Sequence, residues 1–270
     1  MKLIAGAFIV LLCATVSLIM GFKHISAKTC FTRQSPHHAG GNITPAAIGD
    51  IPLPDGFKRE AAAPGSFAEW LRNIKLRKNN IVYLYNGQPV ERQDLHYAVL
   101  DISTGNKDLQ QCADAIMRLR AEYYFSKKEY TKITFPGGHN NNYNFNEYAK
   151  QHNCWSHDCL LQFMEIVFIN CGTYTVDDMT THVNLQNLQT GDVFVKAGAP
   201  GHAMIVADAA KNKAGDKIYL LAQSYMPAQD MHIVINPASR ILSPWYKVNE
   251  NEKVLTPGWV FESTQLKRWK

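Results

Sequence analysis

The clearest alternation of apolar and polar positions lies between Leu188 and Ile235. Four short β-branched runs occur there, Leu188–Lys196, His202–Ala207, Ile218–Gln223 and Met231–Ile235, separated by Gly, Pro, Asn and Asp. That spacing predicts an antiparallel meander. A turn over 211–216 would pair the second and third runs so that Asp208 faces Lys217 and His202 faces Gln223. Upstream, apolar residues Leu109, Cys112, Ala113, Ile116, Leu119 and Tyr123 recur at helical spacing, with Asp108 as the expected N-cap. A second apolar helix is predicted over 158–170, with Gly172 as its C-terminal cap, and a short one from Ser66 to about Asn73. Strands are expected at 81–85, 97–102 and 133–135, with a tight turn at Asn86-Gly87. Residues 136–143, with His139, read as an exposed loop that could line a groove. Runs of strands beside long helices predict an α+β fold, an antiparallel sheet packed against helices.

The start of the chain changes the picture. Met1-Lys2 precedes an almost wholly apolar stretch, Leu3–Phe22, closed by Lys23 and His24. This is the pattern of a signal peptide or N-terminal membrane anchor over 1–27, so the expected location is the periplasm or the outer side of an envelope membrane. Residues 28–50 lack an apolar period and read as a linker, leaving 51–270 as one domain. The composition, 46% hydrophobic and 19% charged, is that of a globular protein. A net charge of +5 and a pI near 8.8, with no dense Lys/Arg run, rank nucleic acid low as a partner. Five cysteines follow the apolar stretch, an odd number, so at least one thiol stays unpaired within a monomer. No His/Cys spacing calls for a metal, and nothing calls for a cofactor.

Candidate chemistry centres on His202, which follows Pro200-Gly201 at the mouth of a strand. An amide held against an imidazole is the orienting half of a nucleophile–base–orienter set, and Gln223 is placed to supply it. Cys112 sits in the first turn of the best helix, where free amides and the helix dipole lower a thiol pKa and stabilise an oxyanion. Each residue also has a plainer reading: His202 filling a strand end, Cys112 packing as a small buried side chain.

Two resemblances bear on these residues. Pro52–Phe57, Gly65-Ser66-Phe67, the run Asp108–Asp114 around Cys112, Pro200-Gly201-His202-Ala203, Ala222–Gln229 and Thr256-Pro257 resemble an exported bacterial family catalogued as a domain of unknown function. The resemblance implies export and supplies no activity. Separately, Leu188-x2-Gly191-Asp192-Val193-Phe194 followed by Gly201–Val206 is similar to the histidine segment of papain-like cell-wall hydrolases of the NlpC/P60 type. That similarity implies a papain-like core, a cysteine nucleophile, His202 as base and Gln223 as its orienter. Cys112 precedes His202 by 90 residues, further than in those enzymes, and Gln111 stands where they carry aspartate. Asp158-Cys159 fits their spacing better, 43 residues ahead, so Cys159 is the alternate nucleophile. The expectation is a cysteine peptidase or amidase acting on cell-wall peptides, with Gln111 at the oxyanion and Ser224, Tyr225 and Gln229 in the cleft. The competing expectation is a non-catalytic envelope protein gripping a peptide or glycan through Tyr225, Met226, Trp245 and Trp259. A nucleophile at Ser224 ranks below both, for want of a strand-to-helix elbow.

Overall fold

One long strand, His202–Asn212, carries neighbours along both edges and explains most of the architecture. The computed structural model describes residues 45–138, 141–249 and 253–270. In chain order its strands are β1 (Phe57–Arg59), β2 (His96–Val99), β3 (Thr134–Pro136), β4 (Asn142–Asn144), β5 (Thr180–His182), β6 (Val193–Lys196), β7 (His202–Asn212), β8 (Lys217–Gln223), β9 (His232–Val234), β10 (Tyr246–Lys247), β11 (Val254–Thr256), β12 (Trp259–Phe261) and β13 (Leu266–Trp269). The helices are α1 (Phe67–Arg72), α2 (Cys112–Ser126), α3 (Phe145–His152), α4 (His157–Asn170) and α5 (Thr173–Asp178). The main sheet runs β2-β9-β8-β7-β6-β13-β5, with β1 added to β7 and β10 to β8, and every pairing in it is antiparallel. The fold is α+β, and the four runs between 188 and 235 form the expected meander.

Both faces of this sheet are buried, which is why β7 reads as a nearly unbroken apolar run rather than a clean alternation. Period-2 geometry still sorts its side chains. Ala203, Ile205 and Ala207 face a core built with Ala113, Ile116 and Met117 of α2 and Leu160 and Met164 of α4. Met204 and Val206 face a second core with Phe194, Tyr219, Tyr246, Phe261 and Leu266. The small alanines on the first face let α2 lie close against the strand.

The register departs from the expected one. Val206 pairs with Leu221, a bulge falls at Ala207, and Asp208 then pairs with Leu220, not Lys217. A bulge inserts one residue and shifts everything beyond it. Asp208 is fully buried and held by Arg59 at 2.7 Å and Arg72 at 2.6 Å.

Helix α2 begins at Cys112 with Gln111 as its N-cap, later than the Asp108 cap expected. Asp108 instead accepts the amide of Ala228 at 2.7 Å. Gly172 is the N-cap of α5 rather than the cap of α4, whose C-cap is Cys171. The expected strand at 81–85 makes only isolated bridges at Tyr83 and Leu84. The turn at Asn86-Gly87 is present, with Gly87 at φ +80°. The cap at Ser66 is also present, its hydroxyl accepting from the amide of Glu69 at 3.2 Å. Packing includes residues ahead of Ile51: Ala47 and Ile48 are buried. The segment 1–27, Cys30 and His139 lie outside the described residues. Among the described residues no helix is long and apolar enough to cross a membrane.

Candidate functional site

His202 opens β7, and the residue before it explains its placement. A Cβ on Gly201 would lie 2.4 Å from the carbonyl oxygen of Gly198 and 2.8 Å from both Lys196 O and Thr173 Oγ1. Only glycine fits beneath that turn, and the turn delivers His202 onto the strand. Extending the Ile205–Ala222 pairing puts residue 202 opposite 225, so His202 reaches Gln223 along a diagonal. Its Nε2 lies 2.8 Å from Gln223 Oε1. Three rings enclose the imidazole: Tyr225 at 5.1 Å between centroids, Trp259 at 5.3 Å and Phe261 at 5.9 Å. The latter two come from the β11–β12 hairpin and keep water from the His–Gln bond. Burial pushes the His202 ring down to about 4, with the Gln223 hydrogen bond acting the other way, so the ring is neutral at pH 7.

Gln223 continues the contact. Its Nε2 lies 3.4 Å from Nε2 of His232 on the neighbouring strand, and His232 Nδ1 lies 2.9 Å from the carbonyl oxygen of Asp230. Burial also holds His232 down to about 4. His96 on β2 packs edge-on to His232, with centroids 5.8 Å apart, and its Nε2–H donates to the carbonyl of Asn80 at 3.0 Å. A row His202–Gln223–His232–His96 therefore crosses four strands on one face. Sequence reasoning found the first two members and missed the others. The signal was present in Met231–Ile235, where a polar residue occupies an inward position between apolar neighbours.

Cys112 is the first residue of α2, and its sulfur lies against the backbone amide of Ala203, the residue after His202. Burial pushes its thiol pKa up, while the amides of Ala203 and Ala113 pull it down. Among the described residues no hydrogen bond joins Cys112 to His202. Gln111 spends its side chain on Asp108 at 3.1 Å, while its backbone N–H donates to Asp114 at 3.1 Å. Burial pushes the Asp114 carboxyl up to about 8, and its Oδ1 has no partner, nor has Nε2 of nearby Gln110.

The alternate nucleophile sits elsewhere. Cys159 lies in the first turn of α4, buried against Cys154, and burial followed by that neighbour pushes its thiol up to about 12. Helix α4 packs chiefly on α2 and α3.

A cavity of about 180 Å³ opens beside the row, walled by His96, His232, Gln223, Tyr225 and Gln229 with Arg92 among its lining. Ser224 is behind it: fully buried, its hydroxyl lies 2.7 Å from the carbonyl of Gln229 and 3.1 Å from that of Gln110. It fastens the approach to α2 onto the β8–β9 loop. Tyr225 hydroxyl donates to Gly258 O at 3.2 Å. Trp245, expected at a binding surface, is buried and donates its indole N–H to Pro52 O at 2.7 Å. Among the described residues no group of three or more His, Cys, Asp and Glu side chains is arranged to hold a metal ion.

No curated protein and no solved structure matches the chain. A family model does match, over residues 49–268, which include every residue of the row, the cavity and the start of α2. The chain belongs to the DUF4846 family, a domain of unknown function.

Proposed function

We propose that the protein is a cysteine hydrolase or amidase with a papain-like core, acting on amide bonds such as those of cell-wall peptides. The observation that carries this reading is the 2.8 Å contact between His202 Nε2 and Gln223 Oε1, made on a neutral, enclosed ring. An amide oxygen only accepts, so Nε2 carries the proton and Nδ1 keeps the lone pair of a general base. Cys112, beside the amide of Ala203 at the start of the helix on the other face of β7, is the thiol this reading assigns to the base; the two side chains would have to meet around the open end of the strand. Its raised pKa means that the resting sulfur holds its proton, so attack requires transfer to His202 as the carbon–sulfur bond forms. The protonated ring then returns the proton to the leaving amine, and water releases the acyl group from sulfur. The amide of Ala113, which faces the sulfur at rest, would turn to the oxyanion as the sulfur attacks.

The test is a peptide carrying cell-wall-type amide bonds, followed by mass spectrometry for new amine ends. Cleavage that vanishes in Cys112→Ala supports the reading. Cleavage that persists in that variant, or no cleavage by the native protein, overturns it.

A second reading has its own support. His202 is 1% exposed and Cys112 5%, whereas the cavity is reached past Tyr225, Gln229 and Arg92. On this reading the cavity takes a peptide or glycan end with no covalent step, and Gln229→Ala weakens binding while Cys112→Ala leaves it unchanged.

A further inference from the structure

We infer that His232 is a positioning residue: it fixes the direction of the Gln223 amide and thereby decides which nitrogen of His202 carries the proton. The carbonyl of Asp230 can only accept, so His232 Nδ1, 2.9 Å away, carries a proton. The His232 ring is neutral, so its Nε2 holds a lone pair. That lone pair, 3.4 Å from the amide, accepts from the NH2 end of Gln223. The oxygen end then points at His202, whose Nε2 must donate to it at 2.8 Å. Nδ1 of His202 is thereby the basic nitrogen.

A glutamine alone would not specify this. Its two ends have nearly the same shape, and a flipped amide presents N–H to His202 Nε2, moving the ring proton to Nδ1. Such a ring has no lone pair on Nδ1 to accept a thiol proton. His96 does not compete for the lone pair of His232, because its own Nε2–H is committed to Asn80 and the two rings meet edge to face. The pairing of Gln223 with His232 between β8 and β9 holds the two side chains on one face, so the selection is part of the sheet itself. The consequence for Cys112 rests on the proposed hydrolase reading; the proton placement on His202 does not.

The experiment is long-range proton–nitrogen NMR of the imidazoles in the folded protein, with Cys112 alkylation by iodoacetamide measured alongside. In the native sequence His202 is expected as the Nε2–H form and His232 as the Nδ1–H form. In His232→Leu the Nδ1–H form of His202 becomes populated, and alkylation of Cys112 at pH 7 falls by about a hundredfold, the lower end of a general-base effect. Adding Gln223→Glu to that variant returns His202 to Nε2–H, because a carboxylate has no donor end to turn. The inference is overturned if native His202 carries its proton on Nδ1, or if His232→Leu leaves the ring wholly Nε2–H. Should the leucine variant fail to fold, the native measurement alone decides. If the proton moves and the alkylation rate does not, His232 keeps its positioning role and the hydrolase reading falls.

Discussion

Two buried polar clusters meet near the start of β7, and they are built on opposite terms. On one face His202, Gln223 and His232 use donor against acceptor in sequence until the row ends on a backbone carbonyl. At the start of α2, Asp114 Oδ1 and Gln110 Nε2 are buried with no partner, and the carboxyl is pushed up to about 8. A satisfied network holds one geometry, because each rotation breaks a bond at both ends. An unsatisfied one carries a desolvation cost that a ligand or a proton can relieve. The contrast separates a part that must not move from a part poised to receive something.

The comparison breaks most severely at Gly201. Gly201→Ala drives a methyl against Gly198 O and Lys196 O and should cost about 3 kcal/mol, as overpacking does, together with the enclosure of His202. Chemical denaturation gives the loss, and the His202 NMR signal shows whether the ring has left its aromatic wall.

Acid titration sharpens the contrast, since the clusters respond with opposite sign. His202 and His232 have folded pKa values near 4, below the ordinary 6.5, so the unfolded chain binds their protons first. Their contribution is complete above pH 6.5 and is lost as pH falls towards 4; His96, also lowered by burial, adds in the same direction. Asp114 is raised from 3.8 to about 8, so its contribution is complete below pH 4 and is lost as pH rises through 8. Asp114→Asn keeps an oxygen for the amide of Gln111 and removes the opposing term. It should stabilise the fold at pH 9 by on the order of 2 kcal/mol and steepen the loss between pH 6.5 and 4. Denaturant midpoints across pH measure both, and a variant whose pH profile matches the native one contradicts the assignment.

Smaller effects follow at the seam between the clusters. Ser224→Ala removes a hydroxyl shared by two carbonyls and should cost about 1 kcal/mol in denaturant midpoint. Tyr225→Phe loses a half-exposed bond to Gly258 and should cost no more than about 0.5 kcal/mol, while the ring keeps its contact with His202.

How much of this could be read in advance depended on distance along the chain. The meander and the His202–Gln223 contact follow from residue type and period 2 within some twenty positions, so they were legible. The bulge at Ala207 was not, because an apolar residue inserted among apolar residues leaves no mark on the pattern; nor was the turn, which pairs Lys211 with Lys217 and so sets Asp208 opposite Leu220 rather than Lys217. His232 and His96 acquire their meaning only when β9 and β2 join the sheet, a pairing set by tertiary packing. Strands β5 and β13, at one end of the sheet, are short and mix polar with apolar side chains, so local propensity says little about them. The start of α2 was misplaced because Asp108 is a good cap in isolation, yet the amide of Ala228 claims its carboxylate.

That claim has a mechanical consequence. Asp108 and Gln110 are tied to Ala228 and Ser224, so the stretch leading into the helix and the loop leaving β8 form a single bracket. Whatever presses on that loop from outside is felt at Cys112, two residues past the bracket. The amide of Ala228 should accordingly exchange its hydrogen in step with those of the helix's first turn, even though more than a hundred residues separate them.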